Sequence, residues 1–507
     1  MPTRVLSLSP VDEGVRLVNT RIAEPYVALS YCWGGAQPHM LTTNTINDYE
    51  IAIDYHQLPA TIQDAIKVTI EMGLSYLWVD SLCIIQDDRI DLAREIAQMP
   101  GIYSQATVTI CASRTGSVSG GFLGPTNLEK MFKPPFKLCF QCPDGNVGTV
   151  YLAQLRHPRD ATPLATRAWA LQERLLSPRV LDFNPLQTRW LCNSIDTDEA
   201  RNWGRLFSRF RYDNIITLRR LLPDEEPPLS TTIEAWRYVV MVYTGRLLTD
   251  PKDRILAISG LAERFNRRLQ DTYLAGLWKC ALPWQLLWFA NNAELNTRPT
   301  EFQGPSWSWT AVKGLINFYS EAEPKSISSI GVVNIEIVLS ESSAPYGAVK
   351  SGILSVKGRL CAALWDGKRT FAEQSREVYR EVTAKNSDAL RPDCRDEAIS
   401  MPSVPENDLS VSFLVLSEGQ AMKTSADTLV VDTFRDAKVV RVFLLEVCVQ
   451  EQDDYKGGNY WRTFGLVLRR LENNKRQQYS RIGMFEIAHP DQSSGLAWKD
   501  HTVIQII

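Results

Sequence analysis

Neither sign of charge is in excess: 55 Lys and Arg face 58 Asp and Glu, a formal net charge of −3. That balance argues against a polyanionic partner such as nucleic acid. Histidine is scarce. His39, His56, His157, His489 and His501 are the five in the chain, and none sits in a recognisable nucleophile pairing. Ten cysteines in 507 residues are too sparse for a disulfide scaffold, and those inside apolar runs read as small reduced hydrophobes. The one C-x-x-C, Cys139 to Cys142, has neither a second pair nor a nearby His pair, so no metal site is expected. Long hydrophobic runs are missing as well. The most apolar stretch, Leu274 to Ala290, is broken by Lys279, Pro283 and Gln285 and reads as a buried helix pair, not a membrane span. No basic-then-apolar leader follows Met1, which argues against secretion. These features together point to a reducing, cytoplasmic setting.

The familiar phosphate and nucleophile motifs are also lacking. There is no Walker loop, no G-x-G-x-x-G, no G-x-S-x-G elbow and no H-E-x-x-H. Any chemistry must then rest on carboxylates, arginines and aromatics, with no permanently bound cofactor expected.

What is present is an ordinary globular mixture, 44% hydrophobic and 22% charged, which excludes wholesale disorder. At roughly 150 residues per domain the length suggests about three domains, or one large domain with appendages. The N-terminal third alternates between strands and helices. Strands are expected at 26–31, 76–85, 107–112 and 179–183, the first stopped by Gly34 and Gly35. Between them lie a helix opened by Pro59 and closed by Gly73, a second capped by Asp91 and interrupted at Pro100-Gly101, and a third over 166–177. A Gly- and Pro-rich stretch from about 114 to 163 looks inserted. This succession implies an α/β fold with a parallel, doubly wound sheet. Residues 186–310 read as helical, with helical periods over 233–248 and 251–269 and Asp253-Arg254 at a cap and first turn. Residues 311–507 read as β-rich, with period-two runs at 353–356, 429–431, 440–449, 461–468 and 483–487, and a charged loop over 368–407.

Four blocks stand out: YVALSYCWG from Tyr26, WVDSLCIIQDD from Trp78, MPGIYSQA from Met99 and RAWALQERLLSPR from Arg167. In this order they resemble the heterokaryon incompatibility (HET) domain of filamentous fungi, giving a HET domain over residues 1–185. The chain departs from the usual pattern at Ile85, Ala170 and Pro100. The Asp253-Arg254 helix and the segment Pro305-Ser306-Trp307-Ser308-Trp309 also resemble what commonly follows this domain. The resemblance implies a role in nonself recognition and regulated cell death, with self-association or a recognition partner protein. HET domains are similar in topology to TIR domains, implying a flavodoxin-like fold and NAD as a candidate substrate. In many TIR domains a Glu on the helix after the third core strand cleaves the nicotinamide–ribose bond. The pattern Trp169-x3-Glu173 resembles that block and makes Glu173 the carried-over catalytic residue.

A reading of the residues themselves converges on the same place. Ligands of a doubly wound sheet bind beyond the carboxyl ends of its strands. There the chain would set Ser30, Tyr31, Trp33 and Gly34, then Asp80, with Arg167 for a phosphate and Trp169 and Glu173 on one helix face. Glu173 would bond the ribose hydroxyls and stabilise an oxocarbenium-like transition state, with Asp80 beside it. Each residue has a plainer alternative. Glu173 could form an ion pair with Arg167, Arg174 or Arg179, Asp80 could cap a turn, and Trp33 and Trp169 could be core plates. Arg167 could bridge Asp80 or Glu173. Asp87-Asp88 reads as a solvated turn, and Glu95 and Tyr103 as packing contacts. Two functions therefore stand side by side: a nucleotide hydrolase, which needs Glu173 in an open cleft, and a non-enzymatic signalling module, which would hold it neutralised in a closed core. A family member without activity is a third.

Overall fold

The structure, a computed structural model, describes the chain except residues 9–13, 21–23, 126–135, 142–144, 153–161, 186–187, 193–228, 291–296, 320–325, 366–369, 375–377, 382–389, 393–439, 454–458, 472–476 and 490–497. Two compact units are present, Met1–Asp224 and Glu225–Ile507.

The first unit is a mixed sheet with helices. Its strands are β1 (Arg4–Leu8), β2 (Val15–Asn19), β3 (Val27–Ser30), β4 (Tyr76–Trp78), β5 (Val108–Cys111), β8 (Arg179–Phe183) and β9 (Thr188–Cys192); β6 (Phe136–Gln141) and β7 (Val147–Leu152) form a separate hairpin within the 114–163 stretch. The sheet order is β2-β1-β4-β3-β5-β8-β9. Strands β3, β4, β5 and β8 are mutually parallel. Every residue of β3 and β5 is buried, as strands covered on both faces must be.

The expectation of a purely parallel sheet is corrected at both edges. β1 and β2 form an antiparallel hairpin whose β1 adds to β4, and β9 runs antiparallel to β8. The expected strand over 76–85 is also shorter. It ends at Trp78, and Asp80–Cys83 form a single helical turn. Asp80 Oδ1 accepts the Ser81 amide at 2.7 Å, offering the backbone a partner outside the ladder.

Three helices connect the parallel strands. Helix α1 (Ala60–Glu71) starts after Pro59 and buries Thr61, Ile62, Ala65, Ile66 and Thr69. Fully burying each isoleucine contributes about 1.5–3 kcal/mol. Helix α2 (Arg89–Gln105) is one helix of 17 residues with Pro100 inside it. Its cap is Asp88, which accepts the amides of Ile90 and Asp91 at 2.8 and 3.3 Å, not Asp91 as the sequence suggested. Asp87 accepts the Thr43 amide and hydroxyl, both at 2.8 Å. Helix α3 (Trp169–Leu176) packs against α2, β3 and β5.

In the second unit α4 (Leu229–Thr244) and α5 (Leu256–Leu269) match the two helical periods. The cap before α5 is Asp250, which accepts the Lys252 amide at 2.9 Å, while Asp253 and Arg254 lie within the 3-10 turn Pro251–Arg254. The expected helix pair over 274–290 is not helical. Strands Tyr273–Leu274 and Leu277–Trp278 pair around Ala275 and Gly276, both at positive φ (47° and 104°), and 3-10 turns lead to a strand at Trp288–Ala290. Burial of most of this stretch removed the period that separates helix from strand. Beyond it lies a large, mainly antiparallel sheet that includes Val349–Trp365, Val440–Asp453, Asn459–Arg470 and Gln478–His489. Within the expected loop 368–407, residues 370–374, 378–381 and 390–392 are strand instead; the remainder, and the expected strand at 429–431, lie outside the described residues. Trp307 and Trp309 are fully buried. Among the described residues no helix is long and apolar enough to cross a membrane.

Candidate functional site

The carboxyl ends of β3 and β4 and the start of α3 bring six of the eight expected residues together. β3 ends in Ser30, and Tyr31 follows; both are buried. The Ser30 hydroxyl donates to Glu173 Oε2, and Arg167 donates to the Tyr31 carbonyl. Trp33 donates its indole N–H to Asp80 Oδ2 at 2.9 Å. Tyr31 in turn donates to Ser81 Oγ at 2.9 Å, and Gln37 holds the loop through the carbonyls of Trp33 and Gly35. Tyr103 reaches the same region from α2, donating to the Leu29 carbonyl at 3.1 Å.

The electrostatics are those of two carboxylates sharing one guanidinium. Glu173 is 7% exposed. Desolvation lifts its pKa to about 7, opposed by Arg167 and the Ser30 hydrogen bond and reinforced by Asp80. Asp80 is raised too, again by desolvation, against the pull of Arg167 and Trp33. Burial pulls Arg167 down, but Glu173 and Asp80 outweigh it and the net shift is upward. Such a trio carries a net negative charge when fully ionised, so a proton on Glu173 near neutral pH is its natural compensation.

A hydrolase would need Glu173 in an open cleft; the side chain is buried. An open groove of about 380 Å³ lies beyond β5 and β8, lined by Arg114, Thr115, Phe122 and a run of glycines. Ser30, Tyr31, Asp80, Arg167 and Glu173 do not line it. Asp80, Arg167 and Trp33 are partly exposed, whereas Glu173 is buried.

Gly34 and Trp169 have packing contacts of their own. Trp169 packs against the hydrophobic core of the first unit. Gly34 has φ +72°, and a Cβ there would lie 2.4 Å from Ser117 Cβ. It lets the loop after β3 meet the loop after β5, where the Val118 amide donates to the Trp33 carbonyl at 3.2 Å. Gly34→Ala combines a disfavoured φ with a backbone clash. It is expected to cost about 2 kcal/mol or more in chemical denaturation of the full chain; an unchanged midpoint would contradict this packing role.

Sequence reasoning missed a second polar knot. Asp182, fully buried in β8, accepts from Ser113 and pairs with Arg174 at 2.7 Å, so Arg174 is committed there. An Asp within the otherwise apolar run of β8 was the available signal. Arg179 donates to the Thr107 carbonyl. The Ser177 hydroxyl donates to the Glu173 carbonyl at 2.6 Å and lies 2.6 Å from Thr109 Oγ1, which fastens the end of α3 to β5. Among the described residues no three His, Cys, Asp or Glu side chains converge as metal ligands would.

No curated protein and no solved structure matches the chain. A family model described as "Heterokaryon incompatibility protein (HET)" matches residues 26–173, a span that opens at the start of the β3 block and closes on Glu173. The chain therefore carries a heterokaryon incompatibility domain.

Proposed function

We propose that this chain acts in fungal nonself recognition as a non-enzymatic signalling and assembly module, in which the Ser30–Glu173–Arg167–Tyr31 cluster locks the HET domain together. The observation that carries this reading is the enclosure of Glu173. At 7% exposure, with one oxygen taken by Ser30 and Arg167 acting on it, the carboxyl is spent on internal contacts. In such a module, cell death follows from self-association or from recruiting a partner.

A second reading, hydrolysis of NAD or a related nucleotide, is favoured by a different observation. The parallel strands run second, first, third, fourth, an order that supports a doubly wound reading with a ligand crevice beside the first of them, and the partly exposed Asp80, Arg167 and Trp33 lie at the carboxyl edge. In that reading Arg167 would take a phosphate, Trp33 would stack on a ring, and Glu173 would reach the ribose after a local opening.

One experiment separates the two: expression of wild type and Glu173→Gln in a eukaryotic cell, with viability and NAD followed together. The module predicts equal toxicity and unchanged NAD in both. A fall in NAD with wild type that is reduced at least 100-fold by Glu173→Gln would establish the hydrolase instead.

A further inference from the structure

Arg254, in the second unit, is a buried cation without the partners that such a cation needs. It is 5% exposed, and its Nε and Nη2 are both buried with no hydrogen-bond partner. Its guanidinium carbon stands 5.4 Å from the centroid of the Trp309 ring, so the ring face supplies a cation–π contact. Tyr243 closes one side: its ring packs edge-on against Trp309 at 6.0 Å, and its hydroxyl donates to the Arg254 carbonyl at 2.5 Å. Trp309 is itself held by its indole N–H, which donates to the Gly276 carbonyl at 3.0 Å. Among the described residues no carboxylate pairs with Arg254, and burial lowers its pKa to about 10.

Arg481 shows what a satisfied arginine looks like in the same unit. It is fully buried and lies 3.6 Å from the Trp288 ring centroid, yet it donates to the carbonyls of Leu286 and Trp288. Arg254 has the aromatic plate without the acceptors. An uncompensated buried charge is strongly unfavourable, so its retention calls for an occupant.

The two unpartnered nitrogens identify that occupant. Nε–H and Nη2–H point the same way along one edge of the guanidinium and form the fork that meets two oxygens of one planar anion. A carboxylate fits between aromatic walls better than a phosphate, because its single charge costs less to desolvate. We propose that the Nε/Nη2 edge of Arg254, against the face of Trp309, is a binding site for a carboxylate group, from a small molecule or a protein C-terminus. The side chain is covered, so the ligand enters through a local opening and associates slowly.

The test follows thermal unfolding of the full chain with added benzoate, an acetylated peptide with a free C-terminal carboxylate, the amide of that peptide, inorganic phosphate, or chloride at matched ionic strength. Benzoate or the free-acid peptide is expected to raise the midpoint by several degrees as concentration rises, and the amide to have no effect. The stronger of the two identifies the source of the carboxylate. Arg254→Met should fold and lose the shift. Arg254→Lys, which keeps the charge without the fork, should bind at least tenfold more weakly by calorimetry; it also serves if the Met variant does not fold. No shift beyond chloride, a shift retained in Arg254→Met, equal affinity in Arg254→Lys, or phosphate outdoing both carboxylates would overturn the assignment.

Discussion

Asp91→Ala is expected to destabilise the first unit by about 3–5 kcal/mol. Asp91 Oδ2 accepts from Arg4 and from the Ile85 amide at 2.9 Å, and Oδ1 accepts from Arg94. Arg4 also donates to the Cys83 carbonyl at 2.9 Å, and it is only 5% exposed. Removing the carboxylate leaves that guanidinium buried and uncompensated. The pair joins β1 to α2 and to the turn after β4, so three elements of the first unit loosen together. Urea denaturation of the full chain, followed by probes in the first unit, measures the loss. The double replacement Arg4→Met with Asp91→Leu should recover most of it, because two apolar groups carry no desolvation penalty. A loss below about 1 kcal/mol for Asp91→Ala would mean that water reaches Arg4.

The stability of the first unit should fall as pH rises from about 4.5 to about 7, and Glu173→Gln should flatten that slope by the part Glu173 contributes. Glu173 has a folded pKa of about 7 against an ordinary 4.5. Between those values the folded chain keeps a proton that the unfolded chain has released, so each step up in pH favours unfolding. Below about 4.5 both states are protonated and the contribution is complete. Above about 7 both are ionised and the full cost is present. At 1.36 kcal/mol per pKa unit the difference is about 3 kcal/mol. This value already includes the attraction of Arg167 and the repulsion of Asp80, the charged groups that act on Glu173. The raised Asp80 adds a slope of the same sign. Glu173→Gln mimics the protonated carboxyl and still accepts from Ser30, so near pH 8 it should be the more stable chain. Denaturation midpoints of both chains from pH 4 to 9 decide the matter; parallel curves would show that the carboxyl is hydrated and titrates normally.

The parallel strands were legible because burial on both faces writes them as continuous apolar runs, as in Val27–Ser30 and Val108–Cys111. The edges were harder to read. β2 alternates buried and exposed residues over only five positions, and β9 has no fully buried residue, so neither yields a pattern longer than chance. The turn at Asp80–Cys83 reads as strand because its apolar residues suit either conformation; in the structure the Cys83 and Ile84 amides donate back to the Val79 and Asp80 carbonyls, and the Ser81 amide donates to Asp80 Oδ1. The site was legible to the extent that Ser30, Tyr31, Trp33, Asp80, Arg167 and Glu173 come together. The uses of Gly34 and Trp169 were not, because they depend on the loop at 116–118 and on the core, both distant in the chain.

The sequence by itself determined the HET domain, its four blocks and the polar residues that meet at the sheet edge, since each is carried by local residue type and spacing. Tertiary structure alone decided whether those groups face solvent. Burial is a property of everything packed around a side chain. Glu173 reads in its own helix as either a cleft carboxylate or an ion-pair partner, and only the packing of β3, α2 and Arg167 around it makes it a buried, proton-holding group. Arg254 likewise reads as a helix-start residue until Tyr243 and Trp309 enclose it.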